Sequence, residues 1–335
     1  MSYIVLRRSF ESVGKMRKIL VTGGAGFIGS NFILYLAEKY PELEIVNVDR
    51  LTYAGNLGNL AGLDKKTNYS FEKADICDWE RMAELMKGCD AVVNFAAESH
   101  VDNSISSDDE FIRTNIGGVH SLLKAARKVG LPRFVQISTD EVYGSLDTGA
   151  ALETRALDPS SSYSASKAAA EMICLAYHKT FGLDVVLTRS SNNFGPRQHP
   201  EKLIPKTIVN ALNNASIPIY ASGKQRRNWI YVMDNCEAID LVLRKGNGGE
   251  TYNLAGETEL ENIALVKKIL GILGKPESLI KHVADRPGHD FRYAIDDSKI
   301  RGLGFKIRTG FGERLKETAD WYVNNPQWCG SWKKR

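Results

Sequence analysis

Short apolar runs alternate with helical patterns along the first 190 residues of the chain. Runs rich in β-branched residues predict buried strands at 19–21, 45–48, 69–71, 91–95, 134–138 and 184–189. The segments between them predict helices at 30–38, 79–87, 114–129 and 164–181. Strands that alternate with helices form parallel sheets covered by helices on both faces. The sequence therefore predicts an α/β fold with a doubly wound parallel sheet.

After Gly195 and Pro196 the predicted strands and helices are shorter, and loops make up more of the chain. Two further helices are predicted at 261–273 and 311–324. We expect residues 16–195 to form the sheet domain, and allow for part of the chain to return to it after residue 225. Residues 196–335 are expected to form mainly a smaller α/β domain that binds the substrate. Residues 1–15 are interpreted as a flexible N-terminal extension without an assigned role.

The composition excludes several classes of protein. Hydrophobic residues make up 43% of the chain and charged residues 25%, as in ordinary globular proteins. The net charge of +4 argues against a nucleic-acid partner. No apolar run approaches the ~18 residues of a membrane helix, so we expect no membrane partner. The N-terminal apolar run 3–6 is too short for a secretory signal, so we expect a cytoplasmic location. The five cysteines form no C-x-x-C pair, which argues against disulfides and against a metal site.

A glycine-rich turn lies between the first predicted strand and the first predicted helix. Gly23, Gly26 and Gly29 are spaced G-x-x-G-x-x-G, which allows a tight turn and close approach of a pyrophosphate to backbone N–H groups. Asp49 ends the second strand and is placed to accept a hydrogen bond from a ribose 2′-hydroxyl. The pattern predicts a Rossmann-type dinucleotide site and favours NAD, while the neighbouring Arg50 keeps NADP open.

Tyr163 and Lys167 are four residues apart on a predicted helix and therefore share one face. A lysine beside a nicotinamide ribose lowers the pKa of the phenol, so that Tyr163 can remove a hydroxyl proton while a hydride leaves. On its own this pair could equally be a surface feature. Residues 138–141 end the fifth strand at the sheet edge where parallel sheets bind ligands, and they carry two adjacent carboxylates.

From about residue 17 to residue 325 the chain resembles the extended short-chain dehydrogenase/reductase family, and within it the nucleotide-sugar 4,6-dehydratases. The glycine turn and the Tyr163–Lys167 pair are common to that family. The more specific blocks are DRLTYAGN at 49–56, AAESHVD at 96–102, TDEVYG at 139–144, SNNFGP at 191–196, PEKLIP at 200–205 and DRPGHD at 285–290. The acidic pair that follows Thr139 is the mark of the dehydratases.

The resemblance implies a reaction in which NAD is recycled. Tyr163 is the base when the sugar C4 hydroxyl is oxidised, and Thr139 hydrogen-bonds the C4 oxygen. The C4 ketone acidifies the C5 proton, which Glu141 removes while Asp140 protonates the departing C6 oxygen. Two neighbouring carboxylates with different roles need different environments. The hydride then returns to C6, which yields a 4-keto-6-deoxy sugar.

The resemblance also implies partners. The expected substrate is dTDP-glucose, and the product feeds deoxysugar biosynthesis, of which rhamnose is the commonest fate. We also expect a homodimer formed through helices 114–129 and 164–181.

The resemblance further implies the residues around both ligands. For the cofactor they are Gly23, Gly26, Phe27, Ile28, Gly29, Asp49, Arg50, Thr52, Asn56, Asp75, Ile76, Ala96, Ala97, Ser99, Asn115, Ser138, Tyr163, Lys167 and Asn193. For the substrate they are Ser99, Thr139, Asn192, Glu201, Lys202, Leu203, Pro218, Ile219, Tyr220, Arg227, Asn262, Arg286 and His289. From the residues alone, Asp75 could instead be a loop or capping residue, Arg227 a surface arginine and Asn262 a helix cap.

Two departures from the family pattern leave the substrate open. Asn228 stands where the family has an acidic residue, and His199 where it has an aromatic one. A UDP-glucose 4,6-dehydratase and a UDP-sugar 4-epimerase therefore remain alternatives, although an epimerase has no use for Asp140 and Glu141. A non-catalytic NAD-binding scaffold is a further alternative, and such a protein would be expected to lose Tyr163 or the acidic pair.

Overall fold

The computed structural model describes residues 16–63, 65–100, 108–285 and 287–331. The N-terminal extension at 1–15 and the predicted substrate residue Arg286 lie outside this part of the chain. The strands within it are β1 (Lys18–Thr22), β2 (Glu44–Asp49), β3 (Tyr69–Lys73), β4 (Ala91–Asn94), β5 (Arg133–Thr139), β6 (Val185–Ser190), β7 (Asn192–Phe194), β8 (Ile217–Tyr220), β9 (Arg226–Tyr231), β10 (Thr251–Leu254), β11 (Thr258–Glu261) and β12 (Ile280–Val283).

Seven of the described strands form one parallel sheet in the order β10-β6-β5-β4-β1-β2-β3. All residues of β4, β5 and β6 are buried, because helices cover both faces of the sheet. This double burial explains why these strands are nearly continuous apolar runs. The six predicted strands and the doubly wound parallel sheet are confirmed. The outermost strand, β10, comes from the C-terminal half of the chain and pairs with β6.

The helices cover the sheet and build the rest of the molecule. In the described ranges they are α1 (Phe27–Lys39), α2 (Trp79–Leu85), α3 (Asp109–Phe111), α4 (Val119–Val129), α5 (Ser162–Phe181), α6 (Leu203–Leu212), α7 (Val232–Lys245), α8 (Asn262–Leu273), α9 (Ser298–Gly302), α10 (Phe311–Asn324) and α11 (Pro326–Ser331). No helix among these residues is long and apolar enough to cross a membrane.

Two predicted helix starts differ from the structure by three residues or more. Helix α1 begins at Phe27, directly after Gly26, rather than at residue 30. The helix predicted at 114–129 begins as a π-helical turn, Ile112–Gly118, and becomes α-helical only at Val119. The consecutive glycines at 117 and 118 weaken the α-helical preference there. A Cβ atom on Gly118 would lie 2.5 Å from the Cδ1 atom of Ile76, so the turn packs closely on the chain that follows β3.

The second half of the molecule packs around two small sheets. Strands β11, β9 and β7 form one, with β11 antiparallel and β7 parallel to β9, and β12 pairs with β8 in the other. Buried residues of β9 and of helices α6, α8 and α10 form a separate apolar cluster. A cavity lies between this half and the carboxyl ends of the parallel strands, where ligands of such sheets bind.

Candidate active site

A cavity of about 310 Å³ lies at the carboxyl ends of the parallel strands. All five predicted catalytic residues line it, namely Thr139, Asp140, Glu141, Tyr163 and Lys167. Of the other residues predicted for the cofactor, it is lined by Gly23, Gly26, Phe27, Ile28, Gly29, Asp49, Arg50, Thr52, Asp75, Ile76, Ala96, Ala97, Ser99, Ser138 and Asn193. Of those predicted for the substrate, Ser99, Asn192, Glu201 and Lys202 also reach it.

The glycine turn leaves no room for side chains between β1 and α1. Gly23 has φ +68°, and a Cβ atom on it would lie 2.5 Å from the backbone nitrogen of Ala96. A Cβ atom on Gly29 would lie 2.3 Å from the carbonyl oxygen of Gly23. Helix α1 has no side-chain cap at Gly26, so the N–H groups of its first turn are left for a ligand. The turn therefore has the shape and the positive potential that a pyrophosphate requires.

Asp49 ends β2 at the wall of the cavity. Its Oδ2 atom accepts a hydrogen bond from the backbone N–H of Ala25 at 3.0 Å, and its Oδ1 atom accepts one from that of Leu51 at 2.7 Å. These contacts fix the carboxylate in place and leave lone pairs for a ribose hydroxyl. Burial raises the pKa of Asp49, while the two backbone hydrogen bonds act against that rise.

Arg50, which kept NADP open, is paired with acidic residues in the structure. Its Nη1 atom lies 3.1 Å from Asp75 and its Nη2 atom 3.5 Å from Glu110. Arg113 also donates to Asp75, at 2.5 Å. Burial opposes ionisation of Asp75, but the hydrogen bonds from Arg113, the Cys77 N–H and Arg50 outweigh it and lower its pKa to about 2. The guanidinium of Arg50 is thus already neutralised by these carboxylates.

Tyr163 and Lys167 lie in the first turns of α5. Ser161 caps this helix by accepting from the Ser164 N–H, and the Ser164 hydroxyl accepts from the Ser161 N–H in return. The capping places Tyr163 at the cavity wall, where burial raises the pKa of its phenol and the charge of Glu141 adds to that rise. Lys167 donates to the carbonyl oxygen of Ile137 at 2.6 Å, and burial lowers its pKa to about 8.

The acidic pair follows β5 on a short 3-10 turn, Asp140–Tyr143, which Thr139 caps by accepting from the Glu141 N–H at 3.3 Å. Asp140 is 3% exposed. Burial, and next the charge of Glu141, raise its pKa to about 8, against the opposing charge of Arg227. Asp140 is therefore mostly protonated near pH 7 and can donate a proton. Glu141 lies beside it in the same cavity, so the pair combines a proton donor with a candidate base.

Several buried polar atoms at the cavity have no hydrogen-bond partner among the described residues. They belong to side chains at the ends of β5, in the following turn and in β7, and are Ser138 Oγ, Asp140 Oδ2, Asn192 Oδ1 and Asn193 Oδ1. Buried polar atoms are costly when unpaired, so a concentration of them at one cavity indicates a polar ligand. Their positions fit a dinucleotide that lies across the carboxyl ends of the strands, with a second ligand near Asp140.

Two residues predicted for the cofactor do not line the cavity. The side chain of Asn56 accepts from the Gly58 N–H and caps a 3-10 turn. Asn115 is buried and bonds both the N–H and the carbonyl oxygen of Glu98, as well as the hydroxyl of Ser166. Its amide is thereby used to hold the loop after β4 against α5. The structure gives both asparagines a role in shaping the walls of the cavity.

The remaining residues predicted for the substrate are also set apart from this cavity. Leu203 begins α6, Ile219 is buried in an apolar cluster, and Pro218 lies on the exposed face of β8. Tyr220 is exposed at the end of β8, and its ring lies 5.8 Å from that of His289. Asn262 has a buried Oδ1 atom without a partner among the described residues.

Arg227 links this region to the cavity. It is 5% exposed and donates to the carbonyl oxygens of Asp290 and Phe291, and its charge acts on Asp140. Its buried guanidinium therefore contradicts the reading of a surface arginine.

Some cavity residues were not singled out from the sequence. Glu98, Thr114, Arg197 and Gln198 all line the cavity. Glu98 lies within one of the specific blocks, and Arg197 and Gln198 directly follow another, so proximity to those blocks was the available signal. His199, a departure from the family pattern, lines the cavity too, and burial lowers its pKa to about 4. A neutral imidazole therefore stands where the family has an aromatic ring.

Comparison with known proteins gives consistent matches. The family profile described as GDP-mannose 4,6 dehydratase matches residues 20–318. The dTDP-glucose 4,6-dehydratase of Streptomyces niveus is 48% identical over 316 residues, which cover 93% of this chain and 94% of that protein. The low-salt glycan biosynthesis protein Agl12 of Haloferax volcanii is 47% identical over 309 residues, which cover 92% of this chain and 99% of that protein.

A solved structure of a relative also matches this chain over most of its length. DesIV, a dTDP-glucose 4,6-dehydratase from Streptomyces venezuelae with NAD and TYD bound, superposes with a TM-score of 0.92 at 46% identity, covering 94% of this chain and 99% of that chain. The chain therefore belongs to the family of nucleotide-sugar 4,6-dehydratases, and the resemblance stated from the sequence is confirmed. The curated relative from Streptomyces niveus and the structure from Streptomyces venezuelae both carry the name dTDP-glucose 4,6-dehydratase.

Proposed function

We propose that the protein converts dTDP-glucose into dTDP-4-keto-6-deoxyglucose and water, with NAD as a recycled cofactor. The observation that supports this most directly is the shared cavity of two pairs of residues. Tyr163 and Lys167 suit the oxidation of a hydroxyl, and Asp140 and Glu141 suit the elimination of water. An epimerase needs the first pair and not the second.

The cofactor would be held by the glycine turn and by the acidic residues after β2 and β3. The N–H groups at the start of α1 would bind its pyrophosphate, and Asp49 would accept a hydrogen bond from its ribose. Because Asp49 would also repel a 2′-phosphate and Arg50 is paired with Asp75, the site favours NAD over NADP. Bound there, NAD would supply a reversible hydride acceptor for the oxidation at C4 and the reduction at C6.

Tyr163 acts first, by removing the proton of the sugar C4 hydroxyl. The phenol is buried beside Glu141, which opposes its ionisation, so a nearby positive charge is needed to make it a base at neutral pH. Lys167 on the same helix face supplies that charge while its Nζ atom is anchored to the Ile137 carbonyl. Thr139 can donate a hydrogen bond to the developing C4 carbonyl oxygen.

The acidic pair acts second. Glu141 takes the C5 proton, the electron pair of that C–H bond forms the C5–C6 double bond, and the C6–O bond breaks. Asp140 gives its proton to the departing oxygen, which leaves as water. Its raised pKa keeps that proton in place near pH 7. After C6 receives the returning hydrogen, C5 regains a proton, and the sugar is redox-neutral over the whole cycle.

We also propose an assembly and a setting for the enzyme. A homodimer through α4 and α5 is supported by large apolar side chains that are exposed on α5, Met172 and Phe181, and on the turn before α4, Ile112. A cytoplasmic location is supported by the five cysteines, which are all free. We assign residues 16–195 with β10 to cofactor binding and the rest of 196–335 mainly to the nucleotide sugar. We place the product in deoxysugar formation, for which rhamnose is our first candidate.

Mass spectrometry of the product tests the proposal. The purified protein is incubated separately with dTDP-glucose, UDP-glucose and GDP-mannose, and the loss of one water is measured. Loss of water from dTDP-glucose alone is expected. The Glu141→Gln variant should stop at a ketone that is two hydrogens lighter than the substrate, whereas the exposed-site control Glu84→Gln should behave as wild type. Loss of water only from another nucleotide sugar overturns the substrate, and a change of configuration without water loss overturns the dehydratase.

A further inference from the structure

A buried polar chain connects the two halves of the candidate catalytic machinery behind the cavity wall. It starts at Glu171 on α5, four residues after Lys167 and on the same helix face. Glu171 has no exposed surface, and Arg189 at the end of β6 is 3% exposed. The Nε atom of Arg189 lies 3.1 Å from both carboxylate oxygens of Glu171, and its Nη2 atom lies 2.5 Å from Oε2.

The chain continues from Arg189 to the turn that carries the acidic pair. The Nη1 atom of Arg189 donates to the Tyr143 hydroxyl at 2.6 Å, and the guanidinium lies 4.6 Å from the centre of the Tyr143 ring. Tyr143 is the last residue of the turn Asp140–Tyr143 and is 1% exposed. Its hydroxyl donates in turn to Asn253 on β10 at 2.9 Å. One arginine thus ties the helix of Tyr163 and Lys167 to the turn of Asp140 and Glu141.

None of these four side chains is among the residues that line the cavity. Packing of the interior alone does not require charged residues at these positions. Buried ion pairs can often be replaced by apolar residues of similar volume without loss of stability. What an apolar pair cannot supply is a directional, forked contact that fixes the turn relative to the helix. The carboxylate of Glu171 also favours the charged form of Lys167, against the burial that lowers the pKa of this lysine.

We propose that Glu171, Arg189 and Tyr143 are positioning residues that hold the acidic pair in register with the Tyr163–Lys167 pair. This inference rests on the proposed function, in which one bound sugar is first oxidised beside Tyr163 and then loses water beside Asp140 and Glu141. The three residues would keep the two pairs in the relative position that both steps require. The ketone made beside Tyr163 must meet Glu141 and Asp140 without leaving the cavity. A turn that shifts by ~1 Å relative to α5 can slow such a step by ~100-fold.

Two variants weaken the connection in different ways. Tyr143→Phe keeps the ring and removes the hydroxyl that joins Arg189 to Asn253. The double variant Glu171→Met with Arg189→Met removes both charges of this ion pair together, so neither partner is left buried without the other. Tyr40→Phe is the matched control, because the Tyr40 hydroxyl also donates to a buried side-chain oxygen, that of Asp240 at 2.7 Å, and Tyr40 does not line the cavity.

Three readouts are taken on the full-length protein: thermal stability, amide hydrogen exchange of a peptide spanning 139–144, and turnover of the nucleotide sugar that the wild type dehydrates. We expect exchange in this peptide to be roughly two- to tenfold faster in both variants, as for the loss of a hydrogen bond. In single turnover the ketone should accumulate. The kcat for water loss should fall by about 10- to 100-fold at a KM within about twofold of wild type.

The control Tyr40→Phe should match the wild type in the exchange of this peptide and in kcat. Unchanged exchange across 139–144 in both variants overturns the inference whatever the reaction is, and so does an unchanged kcat in variants with wild-type melting temperature. Failure of the wild type to remove water from any of the three nucleotide sugars overturns the proposed function instead. Amide exchange alone then decides whether the three residues hold the turn.

Discussion

Replacing Asp140 by asparagine isolates the proton that the elimination step consumes. Asparagine keeps the shape of the side chain, but it cannot transfer a proton at neutral pH. In the wild type, burial and the charge of Glu141 raise the pKa of Asp140 to about 8. The acid is therefore present below that pH and is lost above it, so the rate of elimination should fall as the pH rises through 8.

The size of the effect follows from that pKa. About nine-tenths of Asp140 is protonated at pH 7 and about one-tenth at pH 9, so elimination should slow about tenfold between the two. A positioned acid accelerates a reaction ~100- to 10,000-fold, so elimination in Asp140→Asn should be slower by that factor. The variant should also lose the alkaline limb of the pH profile, that is, the decrease in elimination rate above pH 8. Lys167 titrates in the same range, because burial lowers its pKa to about 8, and it affects the oxidation step instead.

The assay must therefore separate the two steps. Single-turnover samples are quenched from about pH 6 to about pH 10, and mass spectrometry follows both the ketone and the dehydrated product. In Asp140→Asn the ketone should accumulate, and its formation should keep the alkaline limb that Lys167 imposes. The reasoning is refuted if Asp140→Asn eliminates water within about threefold of the wild-type rate and with the same pH profile.

Three other changes test separate parts of the structure. Gly29→Ala places a Cβ atom 2.3 Å from the carbonyl oxygen of Gly23 and should weaken NAD binding by about tenfold or more, measured by calorimetry. An unchanged affinity would contradict the proposed pyrophosphate site. Asp49→Asn removes a charged hydrogen-bond acceptor and should lower the preference for NAD over NADP, measured as the ratio of the two Kd values, by about 10- to 100-fold. An unaltered ratio would contradict the proposed role of Asp49. Phe134→Ala removes a fully buried ring from β5 and should lower the free energy of unfolding, measured by urea titration, by about 3–5 kcal/mol. A loss under about 1 kcal/mol would mean that neighbouring side chains fill the cavity.

The strands of the parallel sheet could be predicted because they are buried on both faces. Residues Phe134 and Val135 of β5 show this clearly, since both are fully buried although neighbouring side chains of a strand point to opposite faces. The glycine turn was predictable for a related reason, because the spacing of its glycines reports close backbone contacts. Local sequence carries these features, and the structure confirms the predicted sheet.

Other features depend on contacts between distant parts of the chain and leave no local pattern. Arg189 and Glu171 are 18 residues apart and lie on different elements, so neither reveals its partner in the sequence. Arg227 looked like one basic residue among several, but the structure buries it against the chain that includes Asp290, 63 residues later. Asn115 was expected at the cofactor, whereas its amide is used to hold the Glu98 backbone. Such pairings are set by tertiary packing.

Strand β10 ties the order of synthesis to the order of folding. The edge of β6 stays unpaired until residues 251–254 arrive, because β10 is its outer neighbour. From Ser190 to Leu254 the ribosome adds 64 residues, which takes roughly 3–13 s at ~5–20 residues per second. Throughout that interval the nascent chain presents an open, apolar strand edge, which is a template for aggregation. A fragment that ends near residue 195 would keep that edge permanently, so the sheet of this enzyme is a product of the whole chain rather than of its first half.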